Sequence, residues 1–288
     1  MELVDQKFKV LGPAPVDPEE ALKWVEVAGR YCYNSLGKIK PGSAEKFFEQ
    51  LFKQNPPHVS VMEHSCICYK GLYTPGTAPI VDRIKESKYL FYHIGPDRTL
   101  YLYGNWRAWA EWYKTQCPRR VIHNWYSLYT ELDEMLPMFS RVTDQLRLPR
   151  EARMISVQVT TDRAILAEVA RHRPFGFSVQ SQRYVGYDNI RFVKPAWFDK
   201  ASKKARELFI TDCKKTEDTY RKFRVDFGMP PQDARVCLTN QTATELTLSG
   251  FPKNWEWLFY LRTASGAYPQ FIKLATPMEK EFQQSPWW

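Results

Sequence analysis

Apolar residues recur along this chain at two alternating spacings, and the alternation describes helices and strands mixed in an α+β order. Residues 19–34 carry Trp24, Val27 and Tyr31 at helical intervals, which places them on one face of a helix. A second helix is expected over 43–54, with Ser43 as its N-cap after Pro41-Gly42 and Pro56-Pro57 as its stop. Residues 65–72 then alternate like a strand, with Cys66 and Cys68 on one face. A short strand near 99–103 and aromatic-rich helices to about residue 147 follow. A further strand over 152–160 leads into a helix at 161–173, where Ile165, Leu166, Val169 and Ala170 form the apolar stripe. A long charged helix over 197–227, a short helix to Leu238, a strand at 242–248 and closing helices complete the pattern. The expected fold class is α+β, a single domain over 1–288 with a central mixed or antiparallel sheet flanked by helices.

The most informative segment follows the helix at 161–173. Arg171-His172-Arg173 is separated by seven residues from Ser181, and Arg183-Tyr184 come directly after. On a helix, Glu168, Arg171 and His172 share a polar face. In an extended run after Phe175-Gly176, Ser181 and Arg183 point to one side, and Gln180 and Gln182 to the other. Arginine presents a planar fork of donors suited to phosphate, and a serine hydroxyl can satisfy a remaining oxygen. The alternative is a solvated basic helix end stabilised by the helix dipole.

Composition narrows the choice of ligand. The 288 residues contain 41 Lys and Arg against 32 Asp and Glu, a formal charge of +9. The positive charge is dispersed among acids, and no nucleic-acid-binding motif accompanies it, so small anions are favoured over nucleic acid. With 44% hydrophobic residues and ten Trp, the chain has ample material for a core. Its apolar runs are too short to span a membrane and its first residues lack a signal-peptide pattern. The six cysteines include no C-x-x-C pair, so a cytoplasmic protein with reduced thiols and no metal site is expected.

The R-H-R-x7-S-x-R-Y string resembles the signature of the flavin-dependent thymidylate synthases. Three further segments are similar to that family. His58, Ser60, Glu63 and His64 fit its H-x-x-x-x-E-H turn; Ala234-Arg235-Val236-Cys237-Leu238 fits its A-R-x-x-L segment, with Thr239 in place of the usual proline; and Trp255 to Arg262 is similar to its C-terminal helix. The resemblance implies methylation of dUMP to dTMP with FAD, NADPH and methylenetetrahydrofolate, in a homotetramer whose sites lie between subunits. It assigns His58, Ser60, Arg171, His172, Arg173 and Trp257 to the flavin. Glu168, Arg171, Gln180 (through its backbone), Ser181, Arg183, Arg235 and Arg262 are assigned to dUMP. Arg262 and Ser181 are the catalytic candidates, Arg262 by polarising the uracil ring and Ser181 chiefly as a phosphate ligand, since no general base is spaced beside it.

The departures from the family are specific. Val179 stands where Glu or Gln is usual, Gly176 replaces a serine, Phe251 an asparagine, and Trp257 an Asn or His. Residues 73–150 form an insertion, expected to be mostly helical, between strands that family members join almost directly. Within it, Gly104-Asn105-Trp106-Arg107-Ala108-Trp109 is similar to a string of the family's C-terminal helix and echoes Gly250 to Leu258 of this chain. It reads either as a helix packing on the core or as a duplicated helix supplementing the flavin pocket. Two other functions stay open: a variant forming another 5-substituted pyrimidine nucleotide, which Val179, Trp257 and the insertion suggest, and a catalytically silent nucleotide- or nucleic-acid-binding protein, which only the charge of +9 supports. Classical thymidylate synthases use a cysteine after proline as nucleophile, and no Pro-Cys dipeptide occurs here.

Overall fold

Strand pairing divides the chain between two four-stranded antiparallel sheets, as a computed structural model covering residues 1–288 describes it. The N-terminal strands β1 (Glu2–Val4) and β2 (Lys7–Pro13) precede helices α1 (Pro18–Cys32) and α2 (Ser43–Phe52). Then come β3 (Ile67–Leu72), α3 (Ala78–Lys85), β4 (Leu90–Ile94), β5 (Thr99–Gly104), α4 (Trp106–Gln116), α5 (Trp125–Met135) and β6 (Ser140–Arg141). The second part runs β7 (Ile155–Asp162), α6 (Arg163–Val169), β8 (Gly176–Val179), β9 (Arg191–Val193), α7 (Lys203–Val225) and α8 (Pro231–Ala234). It closes with β10 (Ala243–Gly250), α9 (Pro252–Arg262) and α10 (Pro269–Gln284). The α+β class holds, and β1 pairs in parallel with β9 in a small third sheet.

The two large sheets share one plan. Their orders are β4-β5-β3-β6 and β8-β10-β7-β2. In each, a strand, a helix, two strands and two helices come in the same order: β3, α3, β4, β5, α4, α5 in the first, and β7, α6, β8, β10, α9, α10 in the second, where β9, α7 and α8 intervene between β8 and β10. The registers agree as well. The first residue of β3, Ile67, faces the last of β5, Gly104, and the first of β7, Ile155, faces the last of β10, Gly250. A Cβ at Gly104 would lie 2.5 Å from Leu90, and one at Gly250 would lie 2.6 Å from Phe175, so both strand ends need glycine. Each glycine leads into a helix whose fully buried tryptophan donates back to the opposite strand: Trp109 Nε1 to Ile67 O and Trp255 Nε1 to Ile155 O, both at 3.2 Å. The edge strands break the pattern of sequence order, since β2 joins the later sheet and β6 the earlier one.

Each sheet has its own core. The first packs α1, α2, α4 and α5 around Trp106, Trp109, Trp125 and Tyr69, with Trp106 and Trp125 stacked at 5.5 Å. The second packs α6, α9 and α10 around Trp255, Phe259, Phe271 and Phe282. A smaller apolar cluster with Cys66, Cys68, Tyr103, Met154 and Phe251 lies between them. Phe251 contacts Tyr103 and Phe91 at 4.9 and 5.3 Å, which explains why a polar residue is absent there: the insertion covers that position with aromatic surface.

Several local expectations change. Besides its three helices and β5, which matches the strand expected near 99–103, the insertion carries β4 and β6, and β1 and β2 add two strands at the N-terminus that the pattern does not predict. Ser43 is the first helical residue of α2, and Gly42, at φ 72°, is the cap; the Ser43 hydroxyl instead donates to the buried Glu26 carboxylate at 2.8 Å. The charged helix begins at Lys203, capped by the Ser202 hydroxyl. The helix expected over 161–173 is only α6, capped by Asp162 Oδ1 on Ile165 N at 2.7 Å, so Arg171 to Arg173 lie in the turn beyond it.

Candidate functional site

The chain builds its candidate site from two neighbouring clusters on either side of the β8 segment. The first is a cleft of about 250 Å³ formed by α1, the turn at 58–64 and β8 with the turn that follows it. Into it come His58, Ser60, Ser178, Ser181 and Tyr184, with Cys32 from α1. Residues chosen from separate sequence segments therefore share one wall-lined space.

The stretch after β8 is not extended, contrary to the strand reading of 177–184. The strand ends at Val179, and the Ser181 hydroxyl accepts from Arg183 N at 3.2 Å and Tyr184 N at 3.4 Å. This serine turn replaces the ladder because local side-chain-to-backbone bonding competes with strand pairing. Arg183 consequently stacks on Tyr184 at 5.2 Å and donates from Nε to Gln232 at 3.2 Å, which directs it towards α8 and the following turn that carries Arg235. Gln180 differs from expectation: its N–H donates to Glu245 O and its carbonyl accepts from Arg163 Nη2. Its backbone is engaged within the chain, and the group left without a partner is its buried side-chain Oε1.

The second cluster gathers around Arg262 at the end of α9. Its Nη1 donates to Glu168 Oε2 at 2.6 Å, its Nη2 to Glu168 O at 3.3 Å and its Nε to His172 Nε2 at 3.0 Å. The guanidinium also lies over Phe271 at 5.1 Å. Of the five N–H groups of an arginine, two remain for a ligand. His172 accepts through Nε2, so it is neutral with its proton on Nδ1; burial, reinforced by the Arg262 charge, lowers its pKa to about 4. Arg171 and Arg173 are exposed and form no ion pair, as is Arg235. Trp257 is 56% exposed on the outer face of α9, stacked on Tyr260 at 5.4 Å, away from both clusters in this single chain.

Motif spacing marks His64 behind the cleft, but not the serines that hold it. His64 is fully buried between Ser249, 2.8 Å from Nδ1, and Ser178, 2.8 Å from Nε2, and burial lowers its pKa to about 3. Ser249 continues to Ser156 at 2.6 Å, which accepts from Trp24 Nε1 at 3.2 Å. The indole can only donate, so Ser156 accepts from it and links Trp24 through Ser249 to His64. Cys32 brings a thiol to the cleft that no motif announced, but burial pushes its pKa up to about 12, which disfavours the nucleophilic thiolate. Gly176, where the family has serine, lies against the Glu63 backbone: a Cβ there would come within 2.9 Å of Glu63 O.

Fold and site together define an α+β protein with an arginine-bearing turn beside a polar cleft, both carried by the later sheet. The chain belongs to the family described as thymidylate synthase complementing protein, whose model matches residues 141–286. That match begins within the last ten residues of the insertion and covers all that follows up to residue 286. Among curated relatives, a flavin-dependent thymidylate synthase of Geobacter sulfurreducens is 33% identical over 118 residues, 40% of this chain and 50% of the relative. One of Haloarcula marismortui is 27% identical over 112 residues, 30% of this chain and 45% of the relative. A probable flavin-dependent thymidylate synthase of Paramecium bursaria Chlorella virus 1 is 27% identical over 146 residues, 46% of this chain and 67% of the relative. The chain thus spans about half the length of the first two relatives. No helix is long and apolar enough to cross a membrane.

Proposed function

We propose that the protein methylates dUMP to dTMP with a bound FAD, NADPH and methylenetetrahydrofolate, assembled as a homotetramer. The observation that carries this reading is the convergence of His58, Ser60 and Ser181 on one cleft, beside a turn whose Arg171 and Arg173 have no acidic partner. Unpaired arginines fit an anionic ligand, and the orphaned Gln180 Oε1 lacks a donor, which a ligand N–H or O–H would supply, because buried polar atoms are ordinarily satisfied. Arg171, His172, Arg173, His58 and Ser60 would hold the flavin, and Trp257, on the outer face, would reach it only from a neighbouring subunit. Bound flavin reduced by NADPH supplies the reducing equivalents, and methylenetetrahydrofolate the carbon.

The chain's own residues supply binding and charge stabilisation. Arg183, Arg235 and the Ser181 hydroxyl bind the phosphate of dUMP, and Glu168 takes the deoxyribose. Arg262, aligned by Glu168 and His172, directs its two free N–H groups to the uracil edge and stabilises enolate charge as it develops. Neutral His172 accepts from Arg262 and so leaves the guanidinium charge uncompensated on that side. Cys32 stays a thiol and takes no part in attack on the ring.

The test is the purified protein with dUMP, methylenetetrahydrofolate and NADPH, read by flavin absorbance and product mass. A yellow protein yielding dTMP is expected. A flavin-free protein that binds dUMP without turnover would leave only a nucleotide-binding role, and a heavier product would mark the 5-substituted variant.

A further inference from the structure

The insertion packs α4 against the turn that carries His58 and Ser60, and it holds that turn through a small set of directed contacts. Arg107, near the start of α4, donates from Nη1 to Glu63 Oε1 at 2.6 Å while its Nε pairs with Glu111 at 2.8 Å. The backbone N–H of Trp106, one of the unsatisfied donors at the start of α4, is accepted by Ser65 Oγ at 3.0 Å. Ser65 in turn donates to Met62 O at 2.6 Å and closes the turn from its other end. Opposite these contacts, the Glu63 backbone lies on Gly176 of β8 and the His64 ring bridges β8 and β10. The turn is therefore clamped between the two sheets, by an arginine on one side and a histidine on the other.

The helix that supplies the arginine is the counterpart of α9 in the shared plan. Both helices follow a strand-ending glycine and anchor through a tryptophan to the facing strand. The cationic turn has no equivalent in the earlier unit, where Glu86-Ser87-Lys88-Tyr89 connect α3 to β4. Where α9 ends in Arg262, α4 ends in Gln116. We infer that residues 67–135 are an internal structural copy of the later unit, that this copy does not hold ligand itself, and that its Arg107 is a positioning residue which sets the His58–Ser60 turn through Glu63.

The flavin consequence of this inference rests on the flavin reading above, and its test separates the two. FAD and dUMP affinities are measured for the wild type, Arg107→Ala, Arg107→Lys, Glu63→Gln and the double variant Arg107→Ala/Glu63→Gln, with hydrogen exchange followed at residues 59–64. Arg107→Ala and Glu63→Gln should each weaken FAD by about tenfold, and the double variant no further, as for two members of one coupled pair. Binding of dUMP should stay within about twofold, exchange should rise in the turn but not in α10, and Arg107→Lys should recover most of the FAD affinity. Unchanged FAD affinity in both single variants, additive losses in the double variant, or FAD and dUMP falling together would overturn the inference. If the wild type takes up no FAD, the flavin reading fails instead, and faster exchange at residues 59–64 in Arg107→Ala still decides whether Arg107 holds the turn: no change there overturns its positioning role.

Discussion

The unit built on β3, β4 and β5 and the unit built on β7, β8 and β10 share strand order, register and a tryptophan anchor, yet they spend their polar residues differently. In the earlier unit α4 buries Trp106, Trp109, Trp112 and Tyr113, and its connection from α3 to β4 is short. In the later one the corresponding connection carries Arg171, His172 and Arg173, and the route from β8 to β10 makes an excursion through β9, α7 and α8. That excursion brings Gln232 of α8 to Arg183. One frame thus carries aromatic packing in one place and a cationic turn in the other, because a sheet-and-helix core constrains the buried faces and leaves the connections free.

Truncating the two anchors is the most severe way to break the comparison. Trp109→Ala and Trp255→Ala each remove a fully buried indole, and each should cost about 3–5 kcal/mol in denaturant unfolding. Near-equal losses are expected. If Trp109→Ala costs less than about 1 kcal/mol, well below that range, the earlier unit is an appendage and not an equivalent core.

At the ends of α4 and α9 the units should part company. Arg262→Lys keeps the charge but loses the fork that meets both Glu168 and His172, and dUMP turnover should fall by about a hundredfold or more. Oxidation of NADPH by bound flavin should persist. Gln116→Ala, at the matching end of α4, should leave turnover near wild type, and a comparable fall there would place catalytic weight in the earlier unit.

Arg183→Ala and Arg235→Ala probe the excursion. Each should weaken dUMP by about 1.5–3 kcal/mol, the range for a hydrogen bond to a charged group, and leave deoxyuridine much less affected. Calorimetry with both ligands checks this, and equal losses for the two would remove phosphate contact from these arginines.

The smallest effect is a pH dependence peculiar to the later unit and its turn. His172 is held neutral with a pKa lowered to about 4, and His64 with one lowered to about 3, against 6.5 when unfolded. The unfolded chain therefore binds more protons as the pH falls below 6.5, so the stability these histidines contribute is complete above that value. It declines between 6.5 and the folded values, by roughly 1 kcal/mol for each at pH 5.5. Unfolding of His172→Asn at pH 7.5 and 5.5 should show a shallower decline than the wild type; an identical slope would mean that His172 titrates alike in the folded and the unfolded chain.

Much of this was legible in local sequence. The helix at 18–32 follows from the spacing of its apolar residues and β3 from alternation; Arg171–Arg173 with Ser181 and Arg183 stand out as one string, although local spacing runs the helix on through Arg173, where the fold has a turn. The echo between Gly104-Asn105-Trp106 and Gly250 onwards is also visible there, because a strand-ending glycine and a helix-anchoring tryptophan are local requirements. Pairing partners were decided elsewhere. Lys7–Pro13 is a strand only because β7 offers it hydrogen bonds, and its bulge between Val10 and Gly12 shortens the alternation that marks a strand in sequence. Phe251 and Gly176 depart from the family for reasons that lie more than a hundred residues away, in the ring of Tyr103 and the backbone of Glu63. Likewise, only the folded chain lays Glu168 and His172 against Arg262, and His58 beside Ser181. Helical periodicity is written in neighbouring residues, whereas sheet partners, close backbone approaches and the desolvation that holds His64 and His172 neutral arise between segments far apart in the chain, and exist only once tertiary packing has brought them together.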